Sequence, residues 1–397
     1  MRNIQEGYKK EKSRIIPIDW NFVKIYSILE KVGKKVDVKN YESYQQIGIR
    51  SHGKGLFYKE SVTGEQLGNK SVFWIEKDCF IANIVFAWEQ AIGRTTENEV
   101  GMICSHRFPM YRPIDNKIDV DYLVYLFKTP YGKKVLELAS PGGAGRNKTL
   151  GQKEFINSEI LIPDSIEEQK KIVKILSTWE LAIKSQEQLI EKKKEFKKGL
   201  MQKLLSGEVR FKEFKDKWND VTLNEVANCL DNRRVPINGE QRNGIKGDIP
   251  YYGATGIVDY INKFIFDEEI ILVSEDGGYF YEYKDKPIAF YINHECWVNN
   301  HAHVLKNKKN INAKYLYYSL IHKNIIKYLN GGTRSKLNQK DLMMINIKLP
   351  SINEQTKISS TIESYDKEID LLQKELEALK IQKKGLMQRL LTGEVRV

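Results

Sequence analysis

The chain is one design written twice. Gly385 to Arg396 (GLMQRLLTGEVR) repeats Gly199 to Arg210 (GLMQKLLSGEVR), with ten of twelve positions identical and the others Lys/Arg and Ser/Thr exchanges. Upstream, Ile166-Glu167-Glu168-Gln169-Lys170-Lys171-Ile172 returns 186 positions later as Ile352-Asn353-Glu354-Gln355-Thr356-Lys357-Ile358. The register then slips by one, pairing Leu150 to Phe155 with Leu337 to Leu342, and Ile162-Pro163 with Leu349-Pro350. Further back only Tyr122 to Tyr125 against Tyr315 to Tyr318, and Trp20-Asn21 against Trp218-Asn219, still match. A period of about 190 residues is far too long for a solenoid, so this is a duplicated two-part module with constant tails and diverged middles.

The tails are helical by periodicity. Ile358, Ile362, Tyr365, Ile369, Leu372, Leu376 and Leu379 step by four and three, the a/d pattern of a coiled-coil seam. Ile172, Leu176, Trp179, Ile183 and Ile190 hold the equivalent places in the first copy, where Gln186 and Lys193 interrupt the seam with polar groups of the kind that set register. Each helix is expected to start near Ser165 or Ser351 and to end after Leu205 or Leu391, because Gly207 and Gly393 supply a left-handed stop. Such a helix spans roughly 60 Å and cannot bury its stripe alone, so the simplest partner for each copy is the other. Gly199 and Gly385 lie inside the helices at a cost of about 1 kcal/mol each; their repetition suggests close backbone approach, between the helices or to a partner subunit.

Connectivity favours an antiparallel pair, since the block between the helices must return the chain to the start of the second. The expected class is α+β: two globular mixed α/β domains separated by two long helices pairing as an antiparallel coiled coil, with a pseudo-two-fold internal repeat. The expected boundaries are 1–163, 164–210, 211–350 and 351–397. A two-fold protein suits duplex DNA, which has the same local symmetry.

Composition agrees with a polyanionic partner. Lys and Arg number 64 against 52 Asp and Glu, giving +12 and a pI near 9.1. Cys79, Cys104, Cys229 and Cys296 are scattered without a CxxC, as in reduced thiols of the cytoplasm, and no stretch is apolar enough to span a membrane.

Within the blocks, Ser71 to Ile75, Cys79 to Phe86 and Ile270 to Val273 read as strands, and Tyr122 to Leu138 and Ala313 to Leu329 as helices in matching places. Each of those helices runs into a glycine-rich basic loop, Gly142 to Lys148 and Gly331 to Lys336. Glycine lets backbone amides approach phosphate, and Arg or Lys neutralise it or reach base edges. Arg146, Asn147 and Lys148 in one half, and Arg334, Ser335 and Lys336 in the other, are therefore DNA-contact candidates. The loop Arg50 to Gly55, with His52 and Lys54, has similar chemistry but no twin.

The chain resembles the specificity (S) subunits of type I DNA restriction-modification systems. The resemblance covers essentially the whole sequence. It rests on two recognition domains alternating with repeated long helices, on the GLMQ(K/R)LL(S/T)GEVR ends, on the Pro163 to Gln169 and Pro350 to Gln355 entries, and on Gly7 to Lys10 with Ile16 to Trp20. It implies that each recognition domain reads half of a bipartite double-stranded target and that the helices act as a ruler. It also implies docking of two modification subunits, which carry S-adenosylmethionine and methylate adenine, and of restriction subunits that translocate and cut.

No catalytic or cofactor motif stands out. The chain has no Asn-Pro-Pro-Tyr/Phe, no G-x-G-x-x-G and no Walker A sequence. His294, Cys296, His301 and His303 cluster, but in no standard zinc spacing, so core or loop histidines are expected and no metal. Glu275-Asp276, before a double glycine, reads as a turn. The expectation is a non-enzymatic DNA-reading scaffold; a self-sufficient DNA enzyme and a coiled-coil protein adaptor are the alternatives.

Overall fold

Ile166–Ser206 and Ile352–Leu391 are continuous helices of 41 and 40 residues in the computed structural model, which describes residues 6–142, 148–331 and 335–397. The oxygen of Ser165 accepts from Gln169 N and that of Ser351 from Gln355 N, so each serine opens its helix. Gly207 and Gly393 close them at φ of 76° and 74°, and the amides of Val209 and Val395 reach back to Lys203 and Arg389. Each glycine thus takes the left-handed turn that stops a helix, and a bond spanning six residues closes over it.

The chain divides into two units, residues 1–187 with 375–397 and residues 188–374, so each unit takes a segment of both helices. In the first unit an antiparallel four-stranded sheet runs in the order Ile92–Arg94, Phe80–Ala82, Met110–Pro113, Leu29–Val32. In the second, Ala289–Ile292, Ile270–Ser274, Ala302–Asn307 and Ala227–Cys229 build the same antiparallel arrangement. A strand pair closes each block: Trp20–Lys24 with Glu159–Pro163, and Asn219–Thr222 with Asn346–Leu349. The entry and exit of each block therefore lie side by side at the start of a long helix.

Three sequence expectations change in detail. The helix over Tyr122 to Leu138 is two helices, Val120–Lys128 and Pro130–Leu138, because Pro130 cannot continue the first and instead opens the second, capped by Thr129. The matching helix is only Ala313–Ile321, followed by a short turn at Ile326–Tyr328. The strand over Cys79 to Phe86 ends at Ala82, where the Asn83 side chain accepts from Val85 N and turns the chain.

Within each unit the helix segments run antiparallel. Glu168, Glu180 and Glu187 pair with Arg396, Lys383 and Lys380 in the first, and Glu354, Asp366 and Glu368 with Arg210, Lys197 and Lys193 in the second. Of the seam residues, Ile172, Leu176, Ile190, Ile358, Ile362, Ile369 and Leu376 are buried, and Trp179, Ile183, Tyr365, Leu372 and Leu379 are half-buried. The first residues of each seam bury more than a helix partner. Ile172 and Leu176 join the core of the first block together with Leu390 and Leu391, and Ile358 and Ile362 pack with Met201, Leu204, Tyr315 and Tyr318. Polar Gln186 donates to Glu375 at 3.0 Å and Lys193 meets Glu368 at 2.7 Å, so the interruptions of the seam are cross-helix pairs.

The repeated Glu-Gln dipeptides make the same joint in each unit. Glu168 receives a bidentate bond from Arg396 at 2.8 and 2.9 Å and a longer one from the Trp20 indole at 3.4 Å. Glu354 receives Arg210 at 2.9 and 2.8 Å and Trp218 at 2.9 Å. Gln169 accepts from Asp119 N and donates to the Pro163 carbonyl, while Gln355 accepts from Asn312 N and donates to Pro350. Asp119 and Asn312 in turn cap the helices at Val120 and Ala313. One dipeptide thus ties the end of one long helix, the start of the other and a domain helix together.

Around Gly199 and Gly385 an added Cβ would meet nothing within 4 Å. Neither glycine serves close approach between helices, contrary to one of the two expectations.

Candidate nucleic-acid interface

In the first unit the structure brings two separate candidates onto one turn. The loop Arg50 to Gly55 is closed by Arg50 N on the Gly55 carbonyl, and His52, at φ 61°, donates its amide to Glu89 O at 2.7 Å. Ser51 Oγ donates to the Glu89 carboxylate, fixing the loop to the turn Ala87–Glu89. Lys148 arrives from the other loop with its ammonium 5.5 Å from the centre of the neighbouring Trp88 ring. His52 and Lys54 are exposed. A histidine, two lysines and an indole thus share one surface, a combination able to neutralise phosphate and to meet base edges. Arg146 and Asn147 lie outside the described residues, as does Arg334 in the second unit.

The second unit presents Ser335 and Lys336 differently. Asn330 and Lys336 exchange both backbone bonds at 2.8 Å, pinching the base of the loop, and Leu337 N donates to Glu275 O. Ser335 meets the hydroxyl of exposed Tyr281 at 2.8 Å. Lys336 lies 3.0 Å from the buried Glu275 carboxylate, whose other oxygen takes Arg234 at 2.6 Å. Arg234 also meets Asp231 at 3.2 Å, and Asp231 holds His303 at 2.6 Å. Burial works against the charge of Asp231 and Glu275, yet His303 and Arg234, with Lys336 on Glu275, hold both carboxyls below their ordinary range. Glu275 is therefore a buried ion-pair residue, not only the turn residue expected beside Gly277-Gly278.

The four-residue cluster from the sequence does not assemble. His294 meets the Tyr252 hydroxyl, Cys296 is buried in a separate core, His301 binds Asp276, and only His303 enters the network. Among the described residues, Cys229, Asp231 and His303 place their donor atoms within 4.8 Å of one another, the spacing of a three-ligand group. Asp231 is already engaged there by Val304 N, His303 and Arg234. Burial pushes the Cys229 thiol up to about 12, which opposes thiolate ligation. Sequence reasoning missed Asp231, Arg234 and Glu275 as partners, and also the joint residues Glu168, Gln169, Arg210, Glu354, Gln355 and Arg396. The signal for the joint was present, since every one of its residues falls in a repeated segment.

The family model of the type I restriction modification DNA specificity domain matches residues 17–194 and again 215–380. A putative type I restriction enzyme specificity subunit of Haemophilus influenzae is 35% identical over 165 residues, covering 41% of this chain and 39% of that one. A putative specificity subunit of Methanocaldococcus jannaschii is 27% identical across 99% of this chain and 97% of its own length. The HsdS subunit of Thermoanaerobacter tengcongensis superposes with a TM-score of 0.59 at 15% identity, covering 98% of this chain and all of the other. The S subunit of M. genitalium superposes with a TM-score of 0.57 at 17% identity, over 94% and 96%. These likenesses establish the fold, and the double match of the family model, one to each repeat, establishes the family: the chain belongs to the type I restriction modification DNA specificity family and is a DNA sequence-specificity subunit.

Proposed function

We propose that the two units each read one half of an asymmetric bipartite site on double-stranded DNA, and that the chain does no chemistry itself. The observation that carries this is the contrast between constant and variable parts. The joint of Glu-Gln, Trp and Arg is the same in both units, whereas the basic loops are mounted differently, Lys148 on Trp88 and Lys336 on Glu275. A shared frame with unlike readers suits two unlike half-sites.

In the first unit His52, Lys54 and Lys148, with Arg146 and Asn147, face the duplex, and in the second Ser335 and Lys336, with Arg334. Domains 1–163 and 211–350 are the readers; 164–210 and 351–397 are the spacer and docking helices. The seam residues, from Ile172 to Ile190 and from Ile358 to Leu379, set the interhelical register. The partners are two modification subunits, which bring S-adenosylmethionine and adenine methylation, and restriction subunits. The working compartment is the cytoplasm; no described helix is long and apolar enough to cross a membrane. The test is methyl transfer to random-sequence duplex DNA by the chain alone, by the modification subunit alone and by both. Sequence-specific transfer should come only from the mixture; transfer by the chain alone would refute a non-catalytic role.

A further inference from the structure

The charged network under Lys336 is a peculiarity of the second unit, and the fold does not require it. The registers of the two sheets make the comparison position by position. Tyr111 pairs with Phe80 and Lys31 in the first unit as Leu305 pairs with Ile271 and Cys229 in the second. Leu150 N donates to Ile84 O as Leu337 N donates to Glu275 O. On this alignment the places of Asp231, Glu275, His303 and Lys336 are taken in the first unit by Gly33, Ile84, Pro109 and Thr149. The same sheet and the same loop anchor therefore form without any of these charges.

Burying such groups is costly. His303 is 1% exposed and Glu275 8%, and charges taken out of water recover that cost only when every partner is in place. Here they are. His303 Nε2 donates to the Leu337 carbonyl at 2.8 Å while Nδ1 faces Asp231, so the ring links the base of the loop to the turn Asp231–Arg233. Arg234 bridges Asp231 to Glu275 and donates to Ala302 O, and Glu275 meets the Lys336 ammonium. The chain of bonds runs from a rigid strand to the tip of one side chain that remains 47% exposed.

A lysine that only attracts phosphate works as a mobile point charge and gains little from being held, whereas one that distinguishes base edges must be aimed. We propose that Glu275, fixed by Arg234 and His303, is a positioning residue that locks Lys336 as a base-reading group for one half-site. The recognised feature is an acceptor pair on a base edge in the major groove, such as that of guanine. This rests on the reading of Ser335-Lys336 as a DNA-facing element.

The test is enrichment of a random duplex library by the full-length chain and by Lys336→Met, Lys336→Arg and Glu275→Gln, with melting temperatures measured alongside. Wild-type chain enriches two half-sites. Lys336→Met and Glu275→Gln lose about tenfold in preference at the same one or two base pairs of one half-site, leave the other half-site unchanged, and Lys336→Arg retains the preference. Lys336 is on the surface, so its variants fold and carry the test even if Glu275→Gln is destabilised. Unchanged preferences in Lys336→Met, a uniform loss across all positions, or a well-folded Glu275→Gln that matches wild type would each overturn the proposal. A wild-type chain that enriches nothing would overturn the DNA-reading assignment itself and this inference with it.

Discussion

Gln355→Leu tests the repeated joint with little change of volume. Gln355 is 1% exposed and satisfies two backbone groups, the Asn312 amide at 2.9 Å and the Pro350 carbonyl at 2.9 Å. Leucine removes both partners and leaves two buried backbone groups unpaired at about 1–3 kcal/mol each. The better burial of leucine offsets about 1 kcal/mol, so the net loss should be about 1–5 kcal/mol. Chemical denaturation measures it. Hydrogen exchange locates it, because protection should fall in Ala313–Ile321, whose N-terminal cap is Asn312. Gln169→Leu should cost a similar amount and act instead on Val120–Lys128. A change within about 0.5 kcal/mol for both variants, the range of an ordinary surface substitution, would refute the reasoning.

Gly385→Ala and Gly199→Ala should each stabilise the free chain by up to about 1 kcal/mol, since alanine is the better helix former and nothing crowds the new methyl; a loss of melting temperature would contradict this. The thiols should resist a disulfide reagent at pH 8 until the chain unfolds, because burial pushes Cys79 up to about 11 and Cys104, Cys229 and Cys296 up to about 12; rapid native labelling would refute it. Asp231 and Glu275 are held below the ordinary carboxylate range, as is Glu180, where Lys383, Lys128 and Tyr125 outweigh burial. Their stabilisation is present above the unfolded-state value near pH 4 and is lost as pH falls through the lower folded value. Melting temperature should therefore drop steeply from about pH 5 to pH 3, less so in Glu275→Gln, and a flat profile would refute the assignment. Replacing Lys54 and Lys148 together should weaken DNA binding and lower the salt slope by about 1 per lost phosphate contact; an unchanged slope would remove them from the interface.

The long helices were readable because their signals are local: a seam of period 3.5, a serine before the first turn and a glycine after the last. Which groups hold them was not, because Glu168 and Arg396 are 228 residues apart and Glu354 and Arg210 are 144 apart. Repetition marked these residues as constrained without saying by what. Strand ends failed where a side chain bends the backbone, as Asn83 does, and one helix broke at Pro130, whose missing amide could have been weighed. At the candidate interface, residue type pointed to Lys148 and Lys336, but their neighbours come from elsewhere in the chain. Trp88 and Glu275 gave no sequence sign of lying beside them. His303 lies on the strand Ala302–Asn307 and His301 in the turn just before it, and they bind different acids, Asp231 and Asp276, so close spacing did not make a shared site.

A chain that carries two different readers should leave a divided mark on the genome, which single-molecule sequencing of methylated adenine reads in DNA from cells carrying this chain and its modification subunit. One new motif made of two unlike halves separated by unread bases should appear, and disappear when the chain is deleted. An undivided motif, a motif that persists without the chain, or no motif beside a folded and active modification subunit would contradict the presence of two readers.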